Sequence, residues 1–563
     1  MNYKVLREEN YYYVDKTRYI AELENYRNPI FLRPRRFGKS LLCSTLKYYY
    51  DLNEAHRFEE LFGDTWIGKN PTPKQGKYMV MQLDFSMVYA SVNSTEELAK
   101  NFNAIVLPSL KGLVKYAYPT FFEGFEIPEE TNCWALLSEI TKYIAENNLP
   151  KLYILIDEYD NFTNQLVTAN KDDLYSDILS NEGFLKTFFK IIKAGQPLGA
   201  IGGVFITGVL PITIDDLTSG FNVGDVITLE PGVVNMLGFT HAETRKYLDD
   251  VFTTNEYNPS IKEEIWQLLV NNYDGYRFLP GAEPIFNSTI LTYFFKRFTL
   301  NRAVIPNELV DENLRTDVNW IRRLLQGNES AKEILGEILH NDKSILYDNE
   351  LLKSKFNKTA LFDRNFYPIT FFYLGMTTLV DNFDMQLPNL MMKAIFAGYF
   401  NDISKLNEQR NKYIPYFRQF VKDHEIAPLF ECYVKIYLGL FAAQSFDKMN
   451  ENFIRNTFYE LCNRYLSNDF ILAMEQNYPS GRSDFELTGK PGTPHHHNKQ
   501  IVEFKYFPVK EWKKIKLQQT PNEKDIEQIN AYATDAIEMF PYLKIKKHIV
   551  YIAGNKGYRH WEV

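Results

Sequence analysis

Three groups of residues have the types and spacing to do chemistry. The first is Gly38-Lys39-Ser40, which closes the string Phe31–Ser40 (FLRPRRFGKS) as it leaves an apolar segment and enters the helical pattern SLLCSTLKYYYDL. A strand, a tight turn and a helix opening on Gly-Lys-Ser can cradle a nucleotide's phosphates: helix amides and the macrodipole attract the anion, the lysine reaches its terminal groups and the hydroxyl binds magnesium. Arg35, Arg36, Phe37 and Gly38 would line such a cradle, with Lys39, Ser40 and Leu41 at the helix start. The full pattern asks for glycine five residues before Gly38, where this chain has Arg33, so the string alone also reads as a basic turn without a ligand.

The second group is Asp157-Glu158, at the end of KLYILIDEYDNF. An Asp at the carboxyl end of a buried strand can hold magnesium through water, and an adjacent Glu can polarise the attacking water. Taken alone, two acids there also fit a solvated strand end. The third group is Asp484 in GRSDFELTG with Glu503 and Lys505 in KQIVEFKYF. Period two puts Glu503 and Lys505 on one strand face, and a hairpin can bring Asp484 beside them. Two carboxylates suit Mg²⁺ or Mn²⁺, with the lysine stabilising charge; the rival is a cross-strand salt bridge on a solvated face.

Positioning the first two groups requires a doubly wound parallel sheet. Strands are expected at the cradle, at YMVMQLDFS ending near Asp84, at Leu152–Ile156, at AIGGVFITGVLPI with Thr207 beside Gly208, and at DVITL, 225–229. Helices between them are expected near Glu96–Tyr118 and Trp134–Glu146, with Asp15 capping a short helix at the N-terminus. The ligand crevice of such a sheet lies at the strands' carboxyl ends, where the cradle, Asp84, Asp157, Glu158 and Thr207 all fall. The extra strand between cradle and acidic strand, with Glu158, points to the hydrolysing branch of these folds. Beyond it a helical stretch is broken by NNYDGYRFLPGAEP, whose Arg277 would either reach a terminal phosphate as a lid arginine or pair with a carboxylate.

The C-terminal part reads as a helix, ENFIRNTFYELCNRYLS, followed by three strands, the last two a hairpin. A further helix carries Gln528 and Tyr532 on one face. Lysines 510, 513, 514 and 516 around Trp512, with 544, 546 and 547, form either a phosphate-tracking patch or a solvated basic face. His495, His496 and His497 lie in the hairpin loop, read as an exposed tip in preference to a metal site.

Composition bounds these readings. The 563 residues exceed one ordinary domain, and 45% hydrophobic with 24% charged residues is globular. A net charge of -8 argues against a chain that coats nucleic acid over its whole surface. Cys43, Cys133, Cys432 and Cys462 are far apart without a C-x-x-C pair and read as reduced, buried thiols. No apolar signal core or membrane-length run is present, so a cytoplasmic location without membrane contact is expected.

Taken together, YVDKTRYI, RPRRFGKSLL, LIDEYD, FITGVLPI, the Gly220-Phe221-Asn222 turn and YDGYRF resemble the predicted AAA-like ATPase family, whose members commonly end in a PD-(D/E)XK nuclease-superfamily domain. In that family arginine at position 33 is the usual form. The resemblance implies ATP and Mg²⁺ as cofactors, with Lys39 and Ser40 as ligands, Asp157 as the metal's outer acid, Glu158 as base and Thr207 as sensor. In the C-terminal part it implies DNA as partner, Asp484, Glu503 and Lys505 as the core, and Gln528 and Tyr532 as a recurrent pair. Mg²⁺, with Mn²⁺ as an alternative, would be held by Asp484, Glu503 and the helix acid Glu451, for which Glu460 and Glu475 are competitors.

The expected fold is therefore α/β: a P-loop NTPase core over residues 1–230, a helical lid over 231–300, a helical connector over 301–426 and a restriction-endonuclease-like domain over 427–563. The expected function is ATP hydrolysis coupled to metal-dependent DNA cleavage. The alternative is an ATP-driven switch or scaffold whose C-terminal module grips nucleic acid without cutting; self-association into a homo-oligomer is left open.

Overall fold

The computed structural model describes residues 2–180, 182–217, 224–306, 309, 330–341, 344–354, 356–361, 363–403 and 410–563. The expected turn at Gly220, Phe221 and Asn222 lies outside them. By contacts the chain divides into two compact units. The first comprises Met1–Glu243, Tyr276–Thr289 and Leu346–Met385; the second comprises Thr244–Gly275, Ile290–Ile345 and Gln386–Val563. The stretches 231–300 and 301–426 are each shared between the two units.

The first unit is built on a parallel sheet of β1 (Pro29–Leu32), β2 (Met79–Asp84), β3 (Leu152–Asp157), β4 (Ile201–Gly208) and β5 (Asp225–Val226), in the order β2-β3-β4-β1-β5. Every residue of β3 is buried, as its unbroken apolar run requires. Strand β4 lies between the cradle strand β1 and the acidic strand β3, with Phe31 opposite Thr207 and Asp84 opposite Asp157. The fifth strand is shorter than expected. Its ladder stops because the Thr228 hydroxyl, in place of a main-chain oxygen, accepts the Leu32 amide at 2.9 Å.

The sheet is dressed by α1 (Lys39–Tyr50), α2 (Thr95–Gly112), α3 (Cys133–Glu146) and α4 (Phe184–Gly195). Phe85, Phe102, Phe162, Phe184 and Phe188 pack ring to ring between these elements, each fully buried side chain contributing roughly 1.5–3 kcal/mol. Asp15 does not cap the N-terminal helix Arg18–Leu23, which begins after Thr17. Its carboxylate instead accepts the amides of Thr17 (2.8 Å) and Trp66 (2.7 Å), joining two distant turns. All four cysteines are free and buried. Among the described residues no helix is long and apolar enough to cross a membrane.

The second unit carries a mixed sheet of β6 (Phe470–Met474), β7 (Phe485–Gly489), β8 (Asn498–Tyr506), β9 (Lys544–Ala553) and β10 (Gly557–Glu562), in the order β10-β9-β8-β7-β6. Helix α5 (Glu451–Leu466) covers one face, where Phe458 meets Phe485 at 5.2 Å and Phe504 at 5.3 Å. Helix α6 (Glu523–Met539) covers the other, with Ile529 and Tyr532 in one buried cluster with Ile501, Ile549 and Tyr551. Strands β9 and β10 go beyond the three expected, because the opening KIKK of β9 reads locally as a basic patch.

These two strands carry a buried imidazole pair. His548 Nε2 donates to Gln500 Oε1 (2.6 Å), and its Nδ1 lies 3.0 Å from His560 Nε2, a contact that holds one proton between the two rings, so both cannot be cations at once. Burial, with the His560 ring and Lys546 nearby, lowers His548 to about 3; burial, partly offset by Glu425, lowers His560 to about 4. Unfolding lets both rings bind protons that the fold refuses, so stability should fall by on the order of a few kcal/mol as pH drops from about 6.5 toward about 4. Urea unfolding across that range checks this: His548→Gln should flatten the slope, and an unchanged slope would contradict it.

Candidate active sites

In the first unit the chain leaves β1 at Leu32 and turns into α1 through two left-handed residues, Arg36 (φ +70°) and Gly38 (φ +97°). No side chain caps α1, so the amides of its first turn are left for an anion. The turn is held from behind: Asn287 Nδ2 donates to the Arg35 carbonyl (3.4 Å), the Thr289 amide to Arg36 (3.1 Å) and the Ser288 hydroxyl to Phe37 (3.0 Å). With its carbonyls engaged in this way, the turn has its amides to offer. Phe37 itself is wedged edge-on against Tyr276 (5.1 Å) and Phe278 (5.5 Å).

Lys39 is 4% exposed, and its ammonium donates to the carbonyls of Arg33 (3.1 Å) and Pro34 (3.2 Å) while lying 3.5 Å from Glu158 Oε1. Glu158 reaches it because its backbone turns left-handed (φ +51°) just past β3. Ser40 hydrogen-bonds the Asp157 carboxylate, whose Oδ1 is buried without a partner. Burial raises Asp157 to about 6; the Ser40 bond opposes this and the Glu158 charge adds to it. A buried carboxylate with an unsatisfied oxygen beside a helix-start hydroxyl fits a hydrated divalent cation. Asp84 contributes charge beside them and accepts the Ser86 amide at 2.9 Å.

Arg33 explains the missing glycine. Its side chain is fully buried between Phe31 (4.3 Å) and Phe278 (3.9 Å), donating to the carbonyls of Leu32, Thr228 and Val234 at 2.9–3.0 Å. Burial lowers it to about 9, which leaves it a cation at neutral pH. It is a structural pillar under the cradle. Asp160, unremarked in the sequence, is fully buried and accepts the amides of Val209 and Leu210 and the Asn164 side chain, fastening the turn after β3 to the end of β4.

Thr207, expected as a sensor, and Arg277, expected either as a lid arginine or as a carboxylate's partner, have other engagements. The Thr207 hydroxyl donates to the Phe31 carbonyl (2.8 Å) inside the sheet, and Arg277 Nε donates to Ala282 within its own loop (3.1 Å).

In the second unit, β7 and β8 are antiparallel with Phe485 opposite Val502, and one further step sets Asp484 opposite Glu503 on the same face. Glu503 is 2% exposed; its Oε1 accepts from Lys505 Nζ (2.8 Å) and its Oε2 has no partner. Burial first, then the Asp484 charge, pushes its carboxyl up to about 8. Asp484 accepts the Phe504 amide through Oδ2 (2.8 Å) and the Arg455 guanidinium through Oδ1 (2.9 Å). Arg455 had no signal in the sequence beyond lying one helical turn past Glu451.

The third carboxylate nearest this pair is Glu451, at the first turn of α5. It accepts the Tyr506 amide and lies 3.9 Å from Lys505 Nζ. Glu460 is bonded to Asn401 (2.7 Å) and Arg464, and Glu475 to Lys393 (3.0 Å). The orphaned Glu503 oxygen opposite a second carboxylate fits a divalent cation in its donor chemistry. As they stand, though, no three Asp, Glu, His or Cys side chains among the described residues are grouped as a ready cage. Gln528 Nε2 donates to the Tyr532 hydroxyl (2.6 Å), whose ring stacks on Tyr478.

Lysines 510, 513, 514, 516 and 544 are exposed, whereas Lys546 pairs with Glu425 (2.8 Å) and Lys547 with Asn530 (2.6 Å). The hairpin loop is less open than expected: the His495 ring stacks on Phe470, and its Nδ1 lies 2.8 Å from His424 Nε2.

Residues 1–218 match the model of a family described as predicted AAA-ATPase, and residues 449–562 match the PD-(D/E)XK nuclease superfamily. The chain joins an AAA-ATPase-like domain to a nuclease-superfamily domain. The ATPase-like match spans the cradle and both acids of β3; the nuclease-superfamily match begins two residues before Glu451 and takes in Asp484, Glu503 and Lys505. Among solved structures, a Walker-type ATPase of Pyrococcus abyssi is similar at 13% identity and a TM-score of 0.36, covering 68% of this chain and 94% of that one. No curated protein matches.

Proposed function

We propose that this chain binds and hydrolyses Mg-ATP at the cradle and uses its nuclease-superfamily domain to cleave DNA with a divalent metal, within the cytoplasm. The ATPase core would be 1–230, with 231–300 as lid, 301–426 as connector and 427–563 as the cutting domain. The observation that carries the reading is the gathering of Lys39, Ser40, Asp157 and Glu158 at the carboxyl ends of parallel strands, beside amides left open for an anion.

At the cradle, Lys39 would leave the Arg33 and Pro34 carbonyls for the terminal phosphates. That movement releases Glu158 from its 3.5 Å pairing to accept a proton from water. Ser40 and Asp157 would hold the cation. In the second domain Asp484, Glu503 and Glu451 are the residues to hold a cation, with Lys505 keeping Glu503 in place and steadying phosphate charge. A divalent cation bound there supplies a polarised water and a counter-charge to the phosphate. The exposed lysines around Trp512 would hold the DNA backbone.

Lys39→Ala should remove ATP binding, because its ammonium is the cation held at the start of α1, between the Arg33 and Pro34 carbonyls and Glu158. Calorimetric titration with Mg-ATP tests this, and unchanged affinity in a folded variant would remove the cradle assignment. One observation favours the switch reading, in which the C-terminal module grips without cutting: the Arg455 guanidinium already engages Asp484.

A further inference from the structure

We infer that Arg455 is a two-position latch on the cation site, resting on Asp484 when the site is empty of metal and on Glu475 when a divalent cation is bound. The inference rests on the proposed metal site at Asp484 and Glu503. Arg455 Nη1 lies 2.9 Å from Asp484 Oδ1 and 3.4 Å from Glu475 Oε1, so the guanidinium already stands between two carboxylates. Its side chain is 11% exposed, and those of Asp484 and Glu475 are 10% and 11% exposed, so both pairings form largely out of water. A guanidinium cannot lose its proton at neutral pH. A metal therefore has to displace it from Oδ1.

Glu475 is built to receive it. Left-handed backbone (φ +53°) follows directly on β6, and Lys393 (3.0 Å) and Arg482 (3.7 Å) fix its Oε2, which leaves Oε1 turned toward Arg455. Arg455 is further tethered by Asn452 one turn earlier on α5, which holds the guanidinium beside these two carboxylates. The cation and the arginine compete for one oxygen of Asp484, while the buried, unpartnered Oε2 of Glu503 is where the cation gains its second donor.

The test is calorimetric titration of the full chain with Mn²⁺, without DNA. Arg455→Met should bind Mn²⁺ at least tenfold more tightly than wild type, because the competitor is gone. Glu475→Gln should weaken Mn²⁺ binding several-fold in the wild-type background, by removing the resting place, and should have no effect in the Arg455→Met background. Equal or weaker binding by Arg455→Met, or the same effect of Glu475→Gln in both backgrounds, would overturn the latch. Since removing the arginine leaves Asp484 uncompensated, the Mn²⁺-induced rise in melting temperature is measured as well and should be larger in Arg455→Met than in wild type. Glu503→Gln separates the two claims: if it binds Mn²⁺ as wild type does, the metal-site reading fails, whereas loss of binding there with no gain in Arg455→Met sinks the latch alone.

Discussion

Glu158→Gln is expected to keep Mg-ATP bound while losing about two or more orders of magnitude in turnover, the usual contribution of a general base. The geometry behind this is specific. Glu158 sits on a left-handed backbone at the end of a fully buried strand, which swings its carboxylate toward Lys39 and away from the sheet. Gln keeps the size and the hydrogen-bonding oxygen but cannot take a proton from water. It also removes a negative charge 3.5 Å from the ammonium that must meet the phosphates, so affinity for ATP should hold or rise. Asp157→Asn should act differently, weakening the dependence on magnesium, because Asp157 faces Ser40. Steady-state turnover together with nucleotide titration tells these apart, and equal turnover in Glu158→Gln and wild type would place the base elsewhere.

Much of this was legible from local pattern. The apolar runs gave β3 and β4, and Asp157 and Glu158 at the end of β3 could be read without partners. Period two along VEFK was enough to align Glu503 with Lys505, and the register of β7 with β8 then set Asp484 opposite. What local pattern could not supply was long-range engagement. Arg33 is held by Thr228, Val234 and Phe278, so an arginine that looks like part of a basic turn is a buried support. The residues 287–289 that brace the cradle carry no motif. The family resemblance implies Thr207 as a sensor, yet its hydroxyl donates across the sheet to the Phe31 carbonyl. Arg455 and Asp160 were invisible for the same reason, since each acts through partners that only the fold brings near.

In the nuclease-superfamily domain, Asp484→Asn and Glu503→Gln should each lower DNA cleavage by at least about two orders of magnitude, and Lys505→Ala should remove most of it with metal binding preserved. Both carboxylate changes alter charge with little change in volume, which suits positions 7% and 2% exposed. Ca²⁺ should not support cleavage, because its larger and looser shell positions water poorly. DNA binding should survive in all three variants, since lysine contacts to phosphate supply most of the affinity and weaken with salt.

The most direct test of the whole account is cleavage of linear and supercoiled duplex DNA by the full chain, with Mn²⁺ and ATP varied independently and Glu503→Gln run beside wild type. The account predicts cuts by wild type only when the metal is present, and none above background from Glu503→Gln. Undiminished cutting by Glu503→Gln, or intact DNA under every combination while the chain binds both ATP and DNA, would contradict it.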